Sequence, residues 1–339
     1  MKNLYKKSFK NLKNFSTFLL LVSPIIANYP INECQANNDK ATGQFIKVSG
    51  EKLHYLYTGQ THATPLVVLV AGNGCSLQEW SIVQSQISKF SRVVSYDRKG
   101  FGLSPLSKQP RILENLAQDL YQLLKTLPGP YILVGHSMAG IIIDELINDY
   151  PDLNVESVVF VDAIEGDFKN SISEILQNAP TKMEKALNSY SDYFRFNNWL
   201  FANDDQNNGK PELFRPFDIW TKEIMAINSY ARDLSGTYAE TSTKYQGKPT
   251  FMYNIERANS INNILIEKKL PVHIISSETC NKSQSQDSSI NKIFKRVQDD
   301  LKKKYGNQTI AKGSDHFITR HAPQVIIDCI YNIIEPTKK

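Results

Sequence analysis

Five short apolar runs constrain the fold more than anything else in the chain: Pro65 to Val70 (PLVVLV), Arg92 to Tyr96 (RVVSY), Tyr131 to Val134 (YILV), Ser157 to Val161 (SVVFV) and Leu270 to Ser276 (LPVHIIS). Runs this short and this continuously apolar read as strands buried on both faces, the condition of a parallel sheet. Helical stretches alternate with them. Leu77 to Phe90 has helical period, and in Ile112 to Leu127 the residues Ile112, Leu113, Leu116, Leu120, Leu123, Leu124 and Leu127 fall on one stripe that Pro128, Gly129 and Pro130 end. Ala139 to Asp149 reads as a further helix, and Gln44 to Val48 with Lys52 to Tyr57 as an opening strand pair. The expected class is therefore α/β, a mostly parallel central sheet flanked by helices.

From residue 168 to 269 that rhythm stops. The segment is polar, Asn-rich and aromatic, with helical pieces near Ser171 to Leu176, Lys182 to Tyr193 and Phe217 to Tyr230 and no clear buried strand. The alternation resumes with LPVHIIS, a helix from Ser289 to Lys304, a short strand near Gln308 to Ala311 and a closing helix from Pro323 to Ile334. One sheet domain formed by residues 28–167 and 270–339, interrupted by a helical lid at 168–269, accounts for both halves. No internal repeat is evident.

Residues 1–27 read as an export signal: Lys2, Lys6, Lys7, Lys10 and Lys13, then an apolar run from Phe15 to Ala27, then the polar Asn28. That run is shorter than the ~20 residues a comfortable membrane helix needs, so the mature protein is expected to begin near Asn28 or soon after, with Ala27 and Ala36 as the possible cuts, to lack a stable membrane span and to be secreted or periplasmic. Without those five lysines, 34 basic residues face 34 acidic ones. So neutral a body gives no electrostatic reason to expect nucleic acid. An exported protein can oxidise Cys34, Cys75, Cys280 and Cys329; their spacing matches no metal site, and sequence leaves open three full pairings as well as free thiols. A Cys280–Cys329 pair is conceivable, since one follows a late strand and the other lies in the last helix.

Functional residues in such a sheet gather at the carboxyl ends of strands. After YILV comes Gly135-His136-Ser137-Met138-Ala139-Gly140, the G-x-S-x-G turn with Ala139 in the last glycine position. Between a buried strand and a helix this turn presents Ser137 as a nucleophile, which needs a base to take its proton. His136 is adjacent to Ser137 and cannot fold back onto it. His54 and His273 sit within strands, His62 lies in an early loop and His321 opens the final helix. His316, in the loop Gly313-Ser314-Asp315-His316-Phe317, is the expected base. The amide of Met138, next after the nucleophile, is the expected first donor to a developing oxyanion. A dinucleotide loop at Gly72-x-Gly74 is excluded because its third glycine would be Leu77.

Together with LVVLVAGNG at 66–74, VVSYDRKGFGLS at 93–104, VVFVDA at 158–163 and GSDHF at 313–317, these motifs make the chain resemble a serine hydrolase of the α/β-hydrolase superfamily, esterase- or lipase-like, from about residue 44 to 335. The resemblance implies an inserted cap at 168–269. It gives Tyr96-Asp97-Arg98 and Gly100-Phe101-Gly102 a structural part near the site, and a second oxyanion donor from Asn73 in Ala71-Gly72-Asn73-Gly74, where Ala71 replaces the family's usual histidine. The acid of the triad departs from the usual place, since Ser277, Glu278, Thr279 and Cys280 follow LPVHIIS with no aspartate. Some members, a group of haloalkane dehalogenases among them, carry it one strand earlier in a context similar to Val161-Asp162-Ala163-Ile164. Asp162 is therefore the expected acid, with Glu278 the alternative and Asp287 or Asp315 remaining.

A Ser-His-acid site implies acyl transfer on a small-molecule carboxylic ester, with no cofactor and no metal. Aromatics of the lid such as Tyr190, Tyr193, Phe194, Phe196, Trp199 and Phe201 either line an apolar acyl site or only fasten the lid. Haloalkane dehalogenases and epoxide hydrolases themselves use an aspartate nucleophile, against which Ser137 argues. Two rivals stay open at this point: a binding protein that keeps the fold without turnover, and amide, lactone or carbon–carbon cleavage by the same triad.

Overall fold

The computed structural model describes residues 43–59, 65–166, 236, 239–240, 243–261, 263–278 and 289–336. Strands β1 (Gln44–Val48), β2 (Glu51–Thr58), β3 (Leu66–Val70), β4 (Arg92–Tyr96), β5 (Tyr131–His136) and β6 (Val155–Val161) precede the segment 168–269. A two-residue ladder, β7 (Lys244–Tyr245) with β8 (Lys248–Pro249), lies within it, and β9 (Val272–Ser277) and β10 (Thr309–Ala311) follow. Eight of these strands form one sheet in the order β1-β2-β4-β3-β5-β6-β9-β10. All neighbours from β4 to β10 are parallel, and the β1–β2 and β2–β4 pairs are antiparallel.

The continuously apolar runs hide both sets of alternating side chains. On one face Leu66, Val68, Val94, Leu133, Val158, Phe160 and Ile274 meet helices α2 (Leu113–Leu124), α3 (Ala139–Asp149), α4 (Thr250–Ser260), α5 (Ile264–Glu267) and α6 (Ser289–Tyr305). On the other, Val67, Leu69, Val93, Ile132, Val134, Val159 and Ile275 meet Trp80, Val83 and Ile87 around α1 (Ser81–Ile87), Ile318 in α7 (Ile318–His321), and Ile326, Ile327 and Ile330 in α8 (Pro323–Ile334). Removing a large side chain from such a two-sided core, for example Leu133→Ala, costs about 2–5 kcal/mol.

Two expected helices are shorter than their periodicity suggested. The stretch from Leu77 begins as a 3₁₀ turn over Leu77–Trp80 before α1 starts, its first amide drawn to Asp97 Oδ1 at 2.8 Å. α2 stops at Leu124 and hands over to two turns.

The signal segment 1–27 and the expected helical pieces at 171–176, 182–193 and 217–230 lie outside the described residues. The described end of the expected lid is seated on the core. Helix α4, which the sequence pattern had not singled out, buries Thr250, Asn254, Ile255 and Ala258. Two of those four are polar, so the stripe does not register as hydrophobic. Arg257 of α4 makes a two-pronged pair with Glu145 of α3, with contacts of 2.8 and 3.0 Å. Tyr253 Oη donates to Glu114 Oε1 of α2 at 2.8 Å. Cys329 carries a free thiol, pushed up to about 11 by burial; Cys34 and Cys280 lie outside the described residues.

Asn254 also caps a core helix from a distance. Ile112 stands at the N-terminal boundary of α2 and offers no side-chain acceptor, and Asn254 Oδ1 accepts from Leu113 N at 2.9 Å while its amide donates to Arg111 O at 3.2 Å. Asn254→Ala leaves both groups buried without these partners. Unfolding free energy from urea titration is expected to fall by about 1–3 kcal/mol, the cost of leaving a buried polar group unsatisfied, and an unchanged value would show that another group caps α2.

Candidate active site

Ser137 stands between β5 and α3 with φ +53°, a left-handed conformation that non-glycine residues rarely adopt and that the surroundings enforce. Its N–H donates to Val161 O at 3.2 Å, and its carbonyl accepts from Gly140 N at 3.2 Å and Ile164 N at 3.0 Å. A Cβ on Gly135 would lie 2.7 Å from Ile143 Cδ1, and one on Gly140 would lie 2.1 Å from Ile164 O. Ala139 is fully buried, so this position accepts a methyl group, and the intolerant small position is the next one, Gly140. Met138 immediately precedes α3, in the first turn where backbone N–H groups have no partner within the helix.

His316 Nδ1 lies 2.8 Å from Asp162 Oδ2. Asp162 is fully buried at the end of β6, with φ +43°, and its other oxygen accepts from Ser277 N at 3.0 Å. Burial works to raise this carboxyl, but the His316 ring, the Ser277 amide and the charge of His136 outweigh it and hold it below the usual aspartate range. The His316 ring lies among aromatic groups, 4.6 Å from the ring of His136 and 4.7 Å from Phe294 between centroids. Because His136 directly precedes Ser137, the structure brings the elbow, His316 and Asp162 to one place.

The other carboxylates are engaged elsewhere. Glu278 Oε2 accepts from Gly313 N at 2.8 Å, fastening the loop that carries His316 rather than touching its ring. Asp315 Oδ1 accepts from Phe317 N and meets His321 Nδ1. Asp287 lies outside the described residues, as does His62. His54 is buried against Asp97 at 2.7 Å, and His273 is lowered by burial alone.

The loop Ala71-Gly72-Asn73-Gly74 lies directly against the elbow. A Cβ on Gly72 would come 2.8 Å from His136 Nδ1 and 3.2 Å from Ser137 Cβ, so only glycine permits this approach. With no histidine at position 71, the loop is held by its backbone. Arg98 donates to Ala71 O at 2.5 Å and to Gly72 O at 2.9 Å, and is itself paired with Glu240, both side chains essentially fully buried. Gly72 N donates to Glu79 Oε2 at 2.9 Å. Asp97 in turn accepts from Leu77 N and Leu103 N, tying the 97–104 turn to the segment after this loop.

Glu79, His136 and Glu240 carry these contacts, and sequence reasoning assigned none of them a role. Glu79 falls off the Leu77-Trp80-Val83-Ile87 stripe and so reads as solvent-facing, yet it is 7% exposed. His136 cannot fold back onto Ser137, and sequence gives no sign of its other neighbours. Glu240 lies within residues 168–269, where no periodicity guides a reading. Among the described residues, no group of three His, Cys, Asp or Glu side chains could hold a metal ion, and no helix is long and apolar enough to cross a membrane.

Known proteins resemble this chain at two levels. An enol-lactonase from Burkholderia xenovorans LB400 shares the fold at TM-score 0.53 and 18% identity, over 85% of this chain and 98% of its own. An epoxide hydrolase from Vigna radiata does so at TM-score 0.54 and 17% identity, over 89% and 100%. In sequence, the uncharacterized protein YbdG of Bacillus subtilis is 25% identical over 168 residues, 48% of this chain and 51% of that protein. Bovine (Bos taurus) protein phosphatase methylesterase 1 is 26% identical over 135 residues, 37% and 36% of the two chains. This chain thus spans about half or less of these curated relatives' length. A profile of the alpha/beta hydrolase family matches residues 67–328, the stretch that contains the elbow, the Gly72 loop, Asp162 and His316, and the chain belongs to that family.

Proposed function

We propose that this hydrolase cleaves a carboxylic ester of a small molecule through an acyl-enzyme on Ser137. The observation that carries the reading is the His316–Asp162 contact of 2.8 Å beside a serine held at positive φ. In this reaction Ser137 Oγ attacks the ester carbonyl and His316 Nε2 takes its proton. Asp162 holds the Nδ1–H and balances the imidazolium charge. The N–H groups of Met138 and Asn73 receive the developing oxyanion. His316 then protonates the departing alcohol, and water activated by the same imidazole releases the acid and restores the serine.

Ester chemistry is favoured over epoxide opening because the elbow presents a serine where an epoxide hydrolase presents an aspartate. By their names, the lactonase and the methylesterase act on a cyclic and a linear ester, and the lactone alternative belongs to the same chemistry. Amide and carbon–carbon cleavage, or binding without turnover, make other demands on the same groups. A fluorophosphonate probe, which labels only an activated serine, separates binding from turnover, and a panel of chromogenic acyl esters of graded length reads the acyl preference.

Ser137→Ala is expected to abolish hydrolysis and labelling while leaving the thermal melt intact, since only one oxygen is removed. His316→Ala should do nearly the same. Retained labelling in Ser137→Ala would refute the serine mechanism.

The acid is tested separately. Asp162→Asn keeps the shape but offers Nδ1 the wrong partner and removes the charge that stabilises imidazolium, so kcat should fall by about three orders of magnitude or more, as in triads generally. Glu278→Gln, which still accepts from Gly313 N, should be mild. The reverse order of effects would transfer the acid's role to Glu278.

We also propose export, on the strength of the leader at 1–27. N-terminal sequencing of protein from the native host should begin near Asn28 and the protein should be found outside the cytoplasm. An intact Met1 on cytoplasmic protein would contradict this.

A further inference from the structure

Beneath the proposed triad lies a second carboxylate–imidazole pair that the mechanism above does not use. His136 Nδ1 is 2.5 Å from Glu79 Oε1, and both side chains are essentially fully buried, at 1% and 2% exposure. The remaining atoms of the pair reach two backbone segments near Ser137. Glu79 Oε2 accepts from Gly72 N, in the loop proposed to supply an oxyanion donor. His136 Nε2 is 2.9 Å from the carbonyl oxygen of His316.

The protons of this pair follow from its neighbours. A carbonyl oxygen can only accept, so His136 Nε2 carries a proton and donates it to His316 O. Glu79 facing Nδ1 leaves that nitrogen protonated too when the carboxyl is ionised. Burial opposes both charges, but each group's charge on the other outweighs it, lowering Glu79 and raising His136. The Gly72 amide further favours the carboxylate. The charged groups that face His136 are Glu79 and Asp162, with the ring of His316 alongside, and the pair itself adds no net charge beside the triad.

We propose that Glu79 and His136 are positioning residues, a single strut that sets the Gly72–Asn73 backbone and the His316 loop at a fixed separation on either side of Ser137. The strut passes under the elbow: Gly72 N to Glu79, Glu79 to His136, His136 to His316 O. A displacement of about 1 Å in such a site costs on the order of 100-fold in rate, so the strut bears on turnover while touching no substrate. This inference rests on the hydrolytic reading above.

Three variants test it, read by labelling rate with a fluorophosphonate, by kcat and KM on a chromogenic ester, and by thermal melting. Glu79→Ala cuts two of the three links and is expected to lower kcat and the labelling rate by at least about 30-fold with KM little changed, as a misplaced oxyanion donor would. Glu79→Gln can accept from Gly72 N and donate to His136 Nδ1, leaving the neutral ring to donate to His316 O. It should therefore recover most of that loss. His136→Asn places an amide where Nδ1 was but cannot reach the His316 carbonyl, so it should lose kcat and keep KM, and it carries the test if Glu79→Ala does not fold. Equal impairment of Glu79→Gln and Glu79→Ala, or loss of activity only in proportion to loss of folded protein, would reduce the pair to a structural one and overturn the proposal. Undiminished labelling in Glu79→Ala and His136→Asn would overturn it as well. An unlabelled parent protein would instead refute the hydrolytic reading and this inference with it.

Discussion

A carboxylate buried at the tip of a strand must be compensated on every lone pair that water would have served, and Asp162 meets that demand by joining three parts of the chain. Its amide donates to Ile275 O at 2.7 Å, one oxygen accepts from Ser277 N, and the other faces His316. Strand β6, strand β9 and the loop after β10 are thereby fixed to one another where the sheet ends. His316 lies 154 residues from Asp162 in sequence, so the contact forms only when β9 and β10 have joined β6 in the parallel sheet. Its orientation is a consequence of the whole fold rather than of a local turn.

The same demand governs the loop opposite. A guanidinium as deeply buried as Arg98 costs several kcal/mol unless it is paired and hydrogen-bonded. Glu240 supplies the charge, and the carbonyls of Ala71 and Gly72 take further N–H groups. What stabilises the arginine therefore also immobilises the backbone next to Ser137. Gly236 lies so close to the Gly100 carbonyl and the Phe101 ring that a Cβ would come within 2.7 Å of either, so Gly236 meets the 97–104 turn at backbone distance.

The sheet could be read from the sequence because its strands are buried on both faces, which forces continuous apolar runs, and because Gly135, Ala139 and Gly140 leave room for a sharp turn. RVVSY and Pro323 to Ile334 occur within the boundaries their composition implies. Helix α4 was not legible because it covers the core partly with Thr250 and Asn254, whose burial depends on hydrogen bonds to Thr243 and to the start of α2. Glu79 was not legible for a related reason. A buried acid is stable only through a partner distant in sequence, here His136, and periodicity carries no information about such a partner.

The order of these constraints explains how the loop is held with only the methyl group of Ala71 at its start. A loop that lies this close to the elbow needs its carbonyls and N–H groups taken up from outside, whatever the side chain at position 71. Arg98 takes the carbonyls from one side and Glu79 the Gly72 amide from the other, so the backbone is held without a contribution from Ala71 itself. Glycine at 72 then permits the close approach to His136 and Ser137 that any side chain would block. The small residues admit the loop to the elbow, and two buried charged pairs on opposite sides keep it there.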